Sequence, residues 1–306
     1  MNRILITGGT GLIGKNLISI LLKNQYEVAV FTRQKSSTNQ QNLNYFQWDP
    51  KEIDFETSSL DFKPNIIVNL AGENVGEGAW TNVKRQEILS SRLNSIQTLK
   101  KFCDAARIKP KVISISASGY YGDVSSLKKV QENEPSGNGF LAEVCRSWED
   151  EALKAFGDPN FKLLIFRLGV VLSLEGGALP QMLRPVRFAF GQPLGCGTQM
   201  ISWIHIQDVV ESLIFAIQNP QIQGIFNLAA PEPVSNKKFI KELANANKRL
   251  FVPLCVPEIL IRLMLGNQAD LVLQGVAMDI TSWKNTGYNF NFPELKSALK
   301  NIFDLN

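Results

Sequence analysis

Apolar residues arrive along this chain in two rhythms, and the change from one to the other predicts where strands end and helices begin. Ile4, Leu5 and Ile6 form an unbroken run that passes through Thr7 into Gly8-Gly9-Thr10-Gly11-Leu12-Ile13-Gly14. Leu17, Ile18, Leu21 and Leu22 then return at helical spacing, so a buried strand, a glycine turn and a helix are expected in that order. Further continuous runs at 27–31, 65–72, 162–167 and 224–229, with a strand and its exit loop at 112–122, predict parallel strands covered on both faces, with a shorter strand at 46–49. Between them a helix is expected from about 81 to 107 through Ile88, Ile96 and Leu99. Another follows Phe140, Val144, Trp148, Ala152 and Phe156, which recur every four residues as on a packed helix face. Strands alternating with helices are the pattern of an α/β fold.

Beyond residue 171 the rhythm is weaker. The stretch 176–200 is rich in glycine and reads as a substrate lid or as plain connection. Ser235 is placed to cap a helix, Pro253 and Pro257 frame an apolar helix at 259–265, and a last helix starts near Pro293 and packs through Leu295, Leu299 and Ile302. A chain of 306 residues suits one doubly wound domain with a smaller one. The expected architecture is a Rossmann-type doubly wound parallel sheet over residues 1–170, to which the strand near 224–229 returns. A lid and a small mixed C-terminal lobe fill 171–306.

The glycine turn carries the first chemistry. Gly9-x-Gly11-x-x-Gly14 fits the dinucleotide fingerprint G-x-G-x-x-G, and Gly8-x-x-Gly11-x-x-Gly14 fits its variant with one more residue between the first two glycines. Glycines there permit the tight turn, the approach of a pyrophosphate to the backbone, and close packing of helix on strand. The phosphates would lie on unpaired N–H groups at the positive end of the helix. The next strand ends at Thr32-Arg33, followed by Lys35 and Ser36, where NAD-selective sites carry an acid on the ribose. A cation there favours a 2′-phosphate and hence NADP(H), with a solvated surface arginine as the alternative. Asp49 faces the adenine or caps the loop before Pro50. Ala71 and Gly72 are small enough for a cofactor to lie across their strand end, and Gly169 is expected to bring the backbone close to the nicotinamide amide. Hydroxyls bunched from Ser114 to Tyr121 lie where open α/β sheets hold ligands, unless they serve turn chemistry alone.

Composition narrows the field. Hydrophobic residues make up 44% and charged ones 20%, ordinary for a globular protein, and 32 basic against 28 acidic residues leave no basic stripe for nucleic acid. Cys103, Cys145, Cys196 and Cys255 lie far apart without a C-x-x-C, which fits neither a zinc cage nor a disulfide scaffold and suits a reducing cytoplasm. His205 is the only histidine, so no metal site is expected. It and Asp208 are expected to tie the lid to the sheet. No signal peptide is read before the first strand, and no apolar run is long enough to span a bilayer.

The Thr7–Gly14 turn, Asn69-Leu70-Ala71-Gly72 and Ser116 through Gly122, in this order and spacing, resemble the extended short-chain dehydrogenase/reductase superfamily. Gly72-Glu73-Asn74, Ser91-Arg92, Phe140-Leu141-Ala142, Val144-Cys145 and Trp148-Glu149 narrow the resemblance, as do the run Arg167 through Leu172, Gly195-Cys196-Gly197-x-Gln199 and Ser202-Trp203-Ile204-His205-Ile206-x-Asp208. Together they look like the atypical, nucleotide-sugar-epimerase-like branch, the YfcH-like proteins. The resemblance implies a Rossmann fold and an NADP(H) site. Its cofactor residues would be Gly8, Thr10, Gly11, Leu12, Ile13, Gly14, Thr32, Arg33, Leu70, Ala71, Gly72, Glu87, Arg92 and Val170. Arg92 reads equally as a surface ion pair. A homodimer is left open.

One departure limits the analogy. In the wider superfamily a Tyr and a Lys four residues later move the proton beside a Ser that orients the carbonyl. Ser116 fits the Ser role, but Phe140 stands at the Tyr and Val144 at the Lys, and neither has a proton or charge to offer. Tyr121 and Tyr120 are the nearest replacements, with Cys145, Glu143 and His205 behind them, although an aromatic pair also serves packing and a buried Cys145 would be inert. The expected function is an NADP(H)-dependent oxidoreductase or epimerase for a small polar metabolite, such as a nucleotide sugar, with Ser116 and Tyr121 as catalytic residues. The alternative is an NADP(H)-binding regulatory protein without turnover.

Overall fold

A computed structural model describes residues 2–34, 40–124, 128–188 and 191–304. Lys35 and Ser36, invoked above beside Arg33, and Phe190 at the centre of the glycine-rich stretch lie outside the described residues. In chain order the strands are β1 Arg3–Thr7, β2 Glu27–Thr32, β3 Leu43–Asp49, β4 Asp54–Phe55, β5 Ile66–Asn69, β6 Lys111–Ala117, β7 Lys162–Leu168, β8 Val170–Leu172, β9 Met200–Ile201, β10 Trp203–His205, β11 Gly224–Leu228 and β12 Val234–Ser235. The helices are α1 Leu12–Lys23, α2 Asn82–Ala106, α3 Phe140–Phe156, α4 Ala178–Phe188, α5 Ile206–Gln218, α6 Asn236–Ala246, α7 Glu258–Leu265, α8 Asp270–Leu273, α9 Thr281–Lys284 and α10 Leu295–Asp304.

The main sheet runs β11-β7-β6-β5-β1-β2-β3-β4 and is parallel except for β4, which turns back on β3. The chain moves outward from β1 to β3 and then crosses to β5 on the other side of β1. Strand order therefore reverses between β1 and β5, and the helices that follow diverge there, leaving a crevice at the carboxyl ends. α1 packs against α5 and α2 against α3, as right-handed crossovers in opposite directions from β1 require. Because helices cover the strands, Ile4, Ile6, Val28, Val30, Ile67, Val68, Val112 and Leu164 are all buried, which is why these segments read as unbroken apolar runs.

Helix ends follow local chemistry. The Thr81 hydroxyl accepts the amide of Lys84 at 3.2 Å, and Arg107 closes the same helix in the left-handed region at φ +54°. The Ser235 hydroxyl accepts from Lys238 at 3.2 Å, capping α6.

A second core forms where β8 leaves the main sheet to pair with β10. Trp203, Phe239, Leu243, Leu295, Leu299 and Ile302 meet there with Leu179, Leu183 and Val186. The last three belong to α4, a helix that the glycine-rich reading of 176–200 missed. Its apolar face is too short to register beside the flanking glycines, and tertiary packing supplies most of a helix's stability. The chain after it is not free either: Gly191 bridges to Phe251 and Leu194 to Val256.

His205 and Asp208 fasten something other than the lid. His205 caps α5, its Nδ1 accepting the Gln207 amide at 3.1 Å, while its ring lies 4.0 Å from that of Phe292. The Asp208 carboxylate accepts the amides of Asn291 at 2.8 Å and Phe292 at 3.0 Å. Both residues therefore hold the segment that leads into α10. Short polar side chains at a helix start find whichever amides fold back over them, and sequence does not say which.

Burial pushes His205 down to about 4 from 6.5. The unfolded chain then takes up a proton that the folded chain resists, so the His205 contribution is full above pH 6.5 and is lost as pH falls towards 4. Asp208, raised by burial, acts in the opposite sense. His205→Asn, which keeps a capping oxygen but does not titrate, should remove about 2–3 kcal/mol of the stability lost between those two pH values. Urea unfolding at several pH values checks this, and an unchanged acid slope in the variant would refute it.

Candidate functional site

The crevice is built at the tips of β1 and β5, which lie in register at Thr7 and Asn69. The buried Thr7 hydroxyl donates to Asn69 Oδ1 at 2.6 Å and accepts the amides of Leu70 at 3.2 Å and Ala71 at 3.3 Å. Ser95 of α2 also donates to Asn69 Oδ1, at 2.7 Å. These contacts bring the Leu70 carbonyl against the glycine turn. Gly8 has φ +66°, and a Cβ there would lie 2.6 Å from that carbonyl oxygen; a Cβ on Gly14 would lie 2.5 Å from the Gly8 oxygen. The first hydrogen bond of α1 runs from Lys15 N–H to Gly11 C=O, so the amides of Leu12, Ile13 and Gly14 precede it. No acidic side chain stands in that first turn, leaving the positive helix end for an anion.

The cofactor residues named from sequence differ in exposure. Thr10 and Gly11 are exposed, and Leu12 and Ile13 are half-buried. Thr32 is buried at the tip of β2, and Arg33 beyond it is exposed, close enough to Glu73 to help hold that carboxyl below its usual range after the larger effect of the Lys84 ammonium. Leu70 and Ala71 are half-buried, as is Val170 across the crevice. Glu87 is exposed on α2.

Arg92 is not the surface ion pair that the sequence allowed. Its guanidinium donates to the carbonyls of Ile88 at 2.8 Å and Glu73 at 3.1 Å, lies 5.0 Å from the Trp148 ring centre, and would be 3.1 Å from a Cβ on Gly72. It clamps the loop after β5 rather than pairing on the surface. Gly169 lies between β7 and β8. Its close neighbour is the carbonyl of Ser202, which a Cβ would approach to 2.5 Å, so the glycine is spent on joining β8 to β10.

Ser116 and Tyr121 are brought into one buried network. The Ser116 hydroxyl donates to Glu149 Oε1 at 2.6 Å. Arg167 donates from Nη2 and Nε to the same carboxylate at 2.7 and 2.9 Å, and from Nη1 to the Tyr121 oxygen at 2.9 Å. Tyr121 in turn donates to Asn227 Oδ1 at 2.7 Å. The Tyr121 phenol is 3% exposed and burial pushes it up to about 12. Arg167, Asn227 and, at 3.3 Å, the Gln131 carbonyl fasten it inside the fold, where Ser116 is as deeply buried. Tyr120 is half-buried, its ring centre 3.4 Å from the Arg167 guanidinium carbon, and its phenol makes no hydrogen bond among the described residues. Sequence reasoning missed Glu149, Arg167 and Asn227. The signals for the first two are their place in motifs of the resemblance and a charge set among the apolar residues of a helix face and of a strand.

The departure at Phe140 and Val144 is also explained by packing. Val144 is buried with Trp80 and Ile88, and Phe140 meets Trp80 edge-on at 5.1 Å beneath Arg85. Cys145 is buried and pushed up to about 11 by its apolar surroundings, which makes it an inert thiol.

Residues 4–229 match the NAD dependent epimerase/dehydratase family, and residues 256–302 match a domain of unknown function, DUF1731. The chain belongs to the NAD dependent epimerase/dehydratase family. An epimerase family protein of Staphylococcus saprophyticus, SSP1921, is 33% identical over 303 residues, covering 99% of each chain. Human epimerase family protein SDR39U1, solved with NADPH, superposes with a TM-score of 0.85 at 30% identity over 99% of both chains. A nucleoside-diphosphate sugar epimerase from Corynebacterium glutamicum gives 0.78 at 27% identity, over 100% of this chain and 59% of that one. The family and the Rossmann-like architecture expected from the glycine turn are thus established, as is a family habit of binding NAD(P).

The Glu149–Arg167 pair is 2.7 Å apart with both side chains nearly inaccessible. Removing one partner strands the other charge, so Arg167→Met should cost about 3–5 kcal/mol. Denaturant unfolding measures this; a loss below about 1 kcal/mol would mean that the pair is hydrated and the network loose.

Proposed function

We propose that this chain is an NADP(H)-dependent oxidoreductase or epimerase acting on a small polar metabolite, with a nucleotide sugar as its substrate class. The observation that carries the reading is Arg33, an exposed cation at the tip of β2 beside a glycine turn shaped to receive a pyrophosphate. NADPH in the human relative and the sugar-nucleotide name of the Corynebacterium relative support it. Four cysteines with no disulfide suit the cytoplasm.

The dinucleotide supplies hydride transfer when bound; the chain supplies everything else. In this reading the amides from Leu12 to Gly14 take the pyrophosphate, Thr32 and Arg33 the 2′-phosphate, and Leu70, Ala71, Gly72 and Val170 the wall beside the sugar and ring. Glu87 closes the outer edge, and Arg92 holds the loop of Gly72 in place. Ser116, buried and donating to Glu149 at 2.6 Å, orients the substrate carbonyl by turning its hydroxyl from that carboxylate. The proton falls to Tyr120, whose phenol has no other partner and sits beside the Arg167 charge in place of the missing lysine. Tyr121 acts through Arg167 and is a positioning residue.

A second reading, binding of NADP(H) without turnover, is favoured by one observation. The positions that should hold Tyr and Lys are Phe140 and Val144, packed in the apolar cluster of Trp80 and Ile88.

Arg33→Ala should weaken NADPH about tenfold by titration calorimetry while leaving NADH nearly unchanged. Equal weakening of both cofactors would refute the 2′-phosphate assignment. In single-turnover assays of NADPH with carbonyl compounds and nucleotide sugars, Ser116→Ala and Tyr120→Phe should each slow oxidation about 10²-fold without altering NADPH affinity. Wild-type rates in either variant would remove that residue from the mechanism, and a wild-type protein that binds NADPH but oxidises none of it would select the second reading.

A further inference from the structure

Two of the four cysteines are exposed, and the fold brings them together although 59 residues separate them. Cys196 sits between Gly195 at φ +61° and Gly197 at φ +73°, a tight loop closed by Gly197 N–H to the Leu194 carbonyl at 2.9 Å. Cys255 immediately precedes Val256, whose amide donates to the Pro193 carbonyl at 2.8 Å and whose carbonyl accepts from Gly195 at 2.9 Å. This ladder places Cys255 Sγ 3.6 Å from the main-chain oxygen of Cys196. Gly197 lies against Cys255, since a Cβ there would stand in van der Waals contact with its Sγ at 3.5 Å.

The chemistry of the two thiols matches their position. Cys196 Sγ is 2.9 Å from the Thr198 hydroxyl, and hydrogen bonds from Thr198 hold its pKa below the ordinary thiol value. Cys103 and Cys145 are the reverse case, buried and pushed up to about 12 and about 11. A thiolate on the surface is the nucleophile in thiol oxidation, and a second thiol in reach resolves it.

We propose that Cys196 and Cys255 are an oxidation site for peroxides, closing to an intrachain disulfide that staples the loop after α4 to the segment ahead of α7. Cys196 thiolate attacks one oxygen of hydrogen peroxide, the O–O bond breaks, a sulfenic acid forms, and the departing hydroxide takes up the proton that the thiol gave and leaves as water. Cys255 thiolate then attacks that sulfur, the S–O bond breaks, and the departing hydroxide takes a proton to leave as a second water. Two thiols lose two electrons and two protons, and the peroxide is reduced.

The test is covalent mapping of the full chain, treated with hydrogen peroxide under native conditions, alkylated and digested for mass spectrometry. The expected product joins the Cys196 and Cys255 peptides with loss of two hydrogens, spares Cys103 and Cys145, and reverts with dithiothreitol. Cys255→Ser should leave a sulfenic acid on Cys196 that dimedone captures, and Cys196→Ser should leave Cys255 reduced. Oxidation of Cys196 that leaves Cys255 free in the wild type, or linkage only between separate chains, would overturn the proposal. The readout needs neither dinucleotide nor substrate, so it stands or falls independently of the proposed function.

Discussion

One hydroxyl holds the crevice together. Thr7 ends β1 buried, with one proton and two lone pairs, and the fold uses the proton on Asn69 and the lone pairs on the amides of Leu70 and Ala71. Buried polar groups must be paired, and here the pairing also sets geometry. It turns the chain after β5 back across the tip of β1 and presses the Leu70 carbonyl into the space that a side chain on Gly8 would need. A dinucleotide site at this place depends on backbone meeting backbone, so the hydrogen bonds of Thr7 and the absence of Cβ atoms at Gly8 and Gly14 are two sides of one constraint.

Charge organises the neighbouring strand end. Glu149 comes from α3 and Arg167 from β7, and neither is tolerable alone in the interior. Together they engage Ser116, Tyr121 and the Tyr120 ring, so the hydroxyl-rich turn after β6 is tied to the sheet from below. The apolar cluster at Phe140 and Val144 packs α3 from the other side. What the wider superfamily does with a phenol and an ammonium on that helix, this chain replaces by packing, and its remaining polar chemistry is displaced to the β6 turn. Of two adjacent tyrosines, one is consumed by the network and the other is left with its phenol unengaged.

The C-terminal lobe is joined to the sheet by the same economy of polar contacts. Asp208 and His205, at the start of α5, hold the segment leading into α10, while Ser202 donates to the Val276 carbonyl at 2.9 Å and accepts the Met278 amide at 2.9 Å. Glycine at 169 lets β8 pass within reach of Ser202, so β8 and β10 can pair away from the main sheet.

Much of this was legible along the chain because it is local. Unbroken apolar runs marked the strands, four-residue recurrence marked α3, Thr81 and Ser235 marked helix starts, the glycine spacing marked the turn, and that turn together with motifs from Asn69 to Asp208 marked the family. These signals depend on neighbours within a turn or a strand, where sequence distance and spatial distance agree. The hairpin of β4, the helix α4, the partners of His205 and Asp208, and the role of Arg92 were not legible. Each depends on which distant surface the fold presents to a short or polar segment. The same holds for the tyrosines: side by side in sequence they are equivalent, and only the arrival of Arg167 from β7 and Asn227 from β11 separates them. By itself the sequence determined the Rossmann order of elements and the glycine turn, since both follow from periodicity and from glycine's missing side chain. Tertiary structure alone decided which hydroxyls and thiols are spent on internal partners and which remain available, because a side chain's chemistry is set by burial and by the groups that residues far along the chain bring to it.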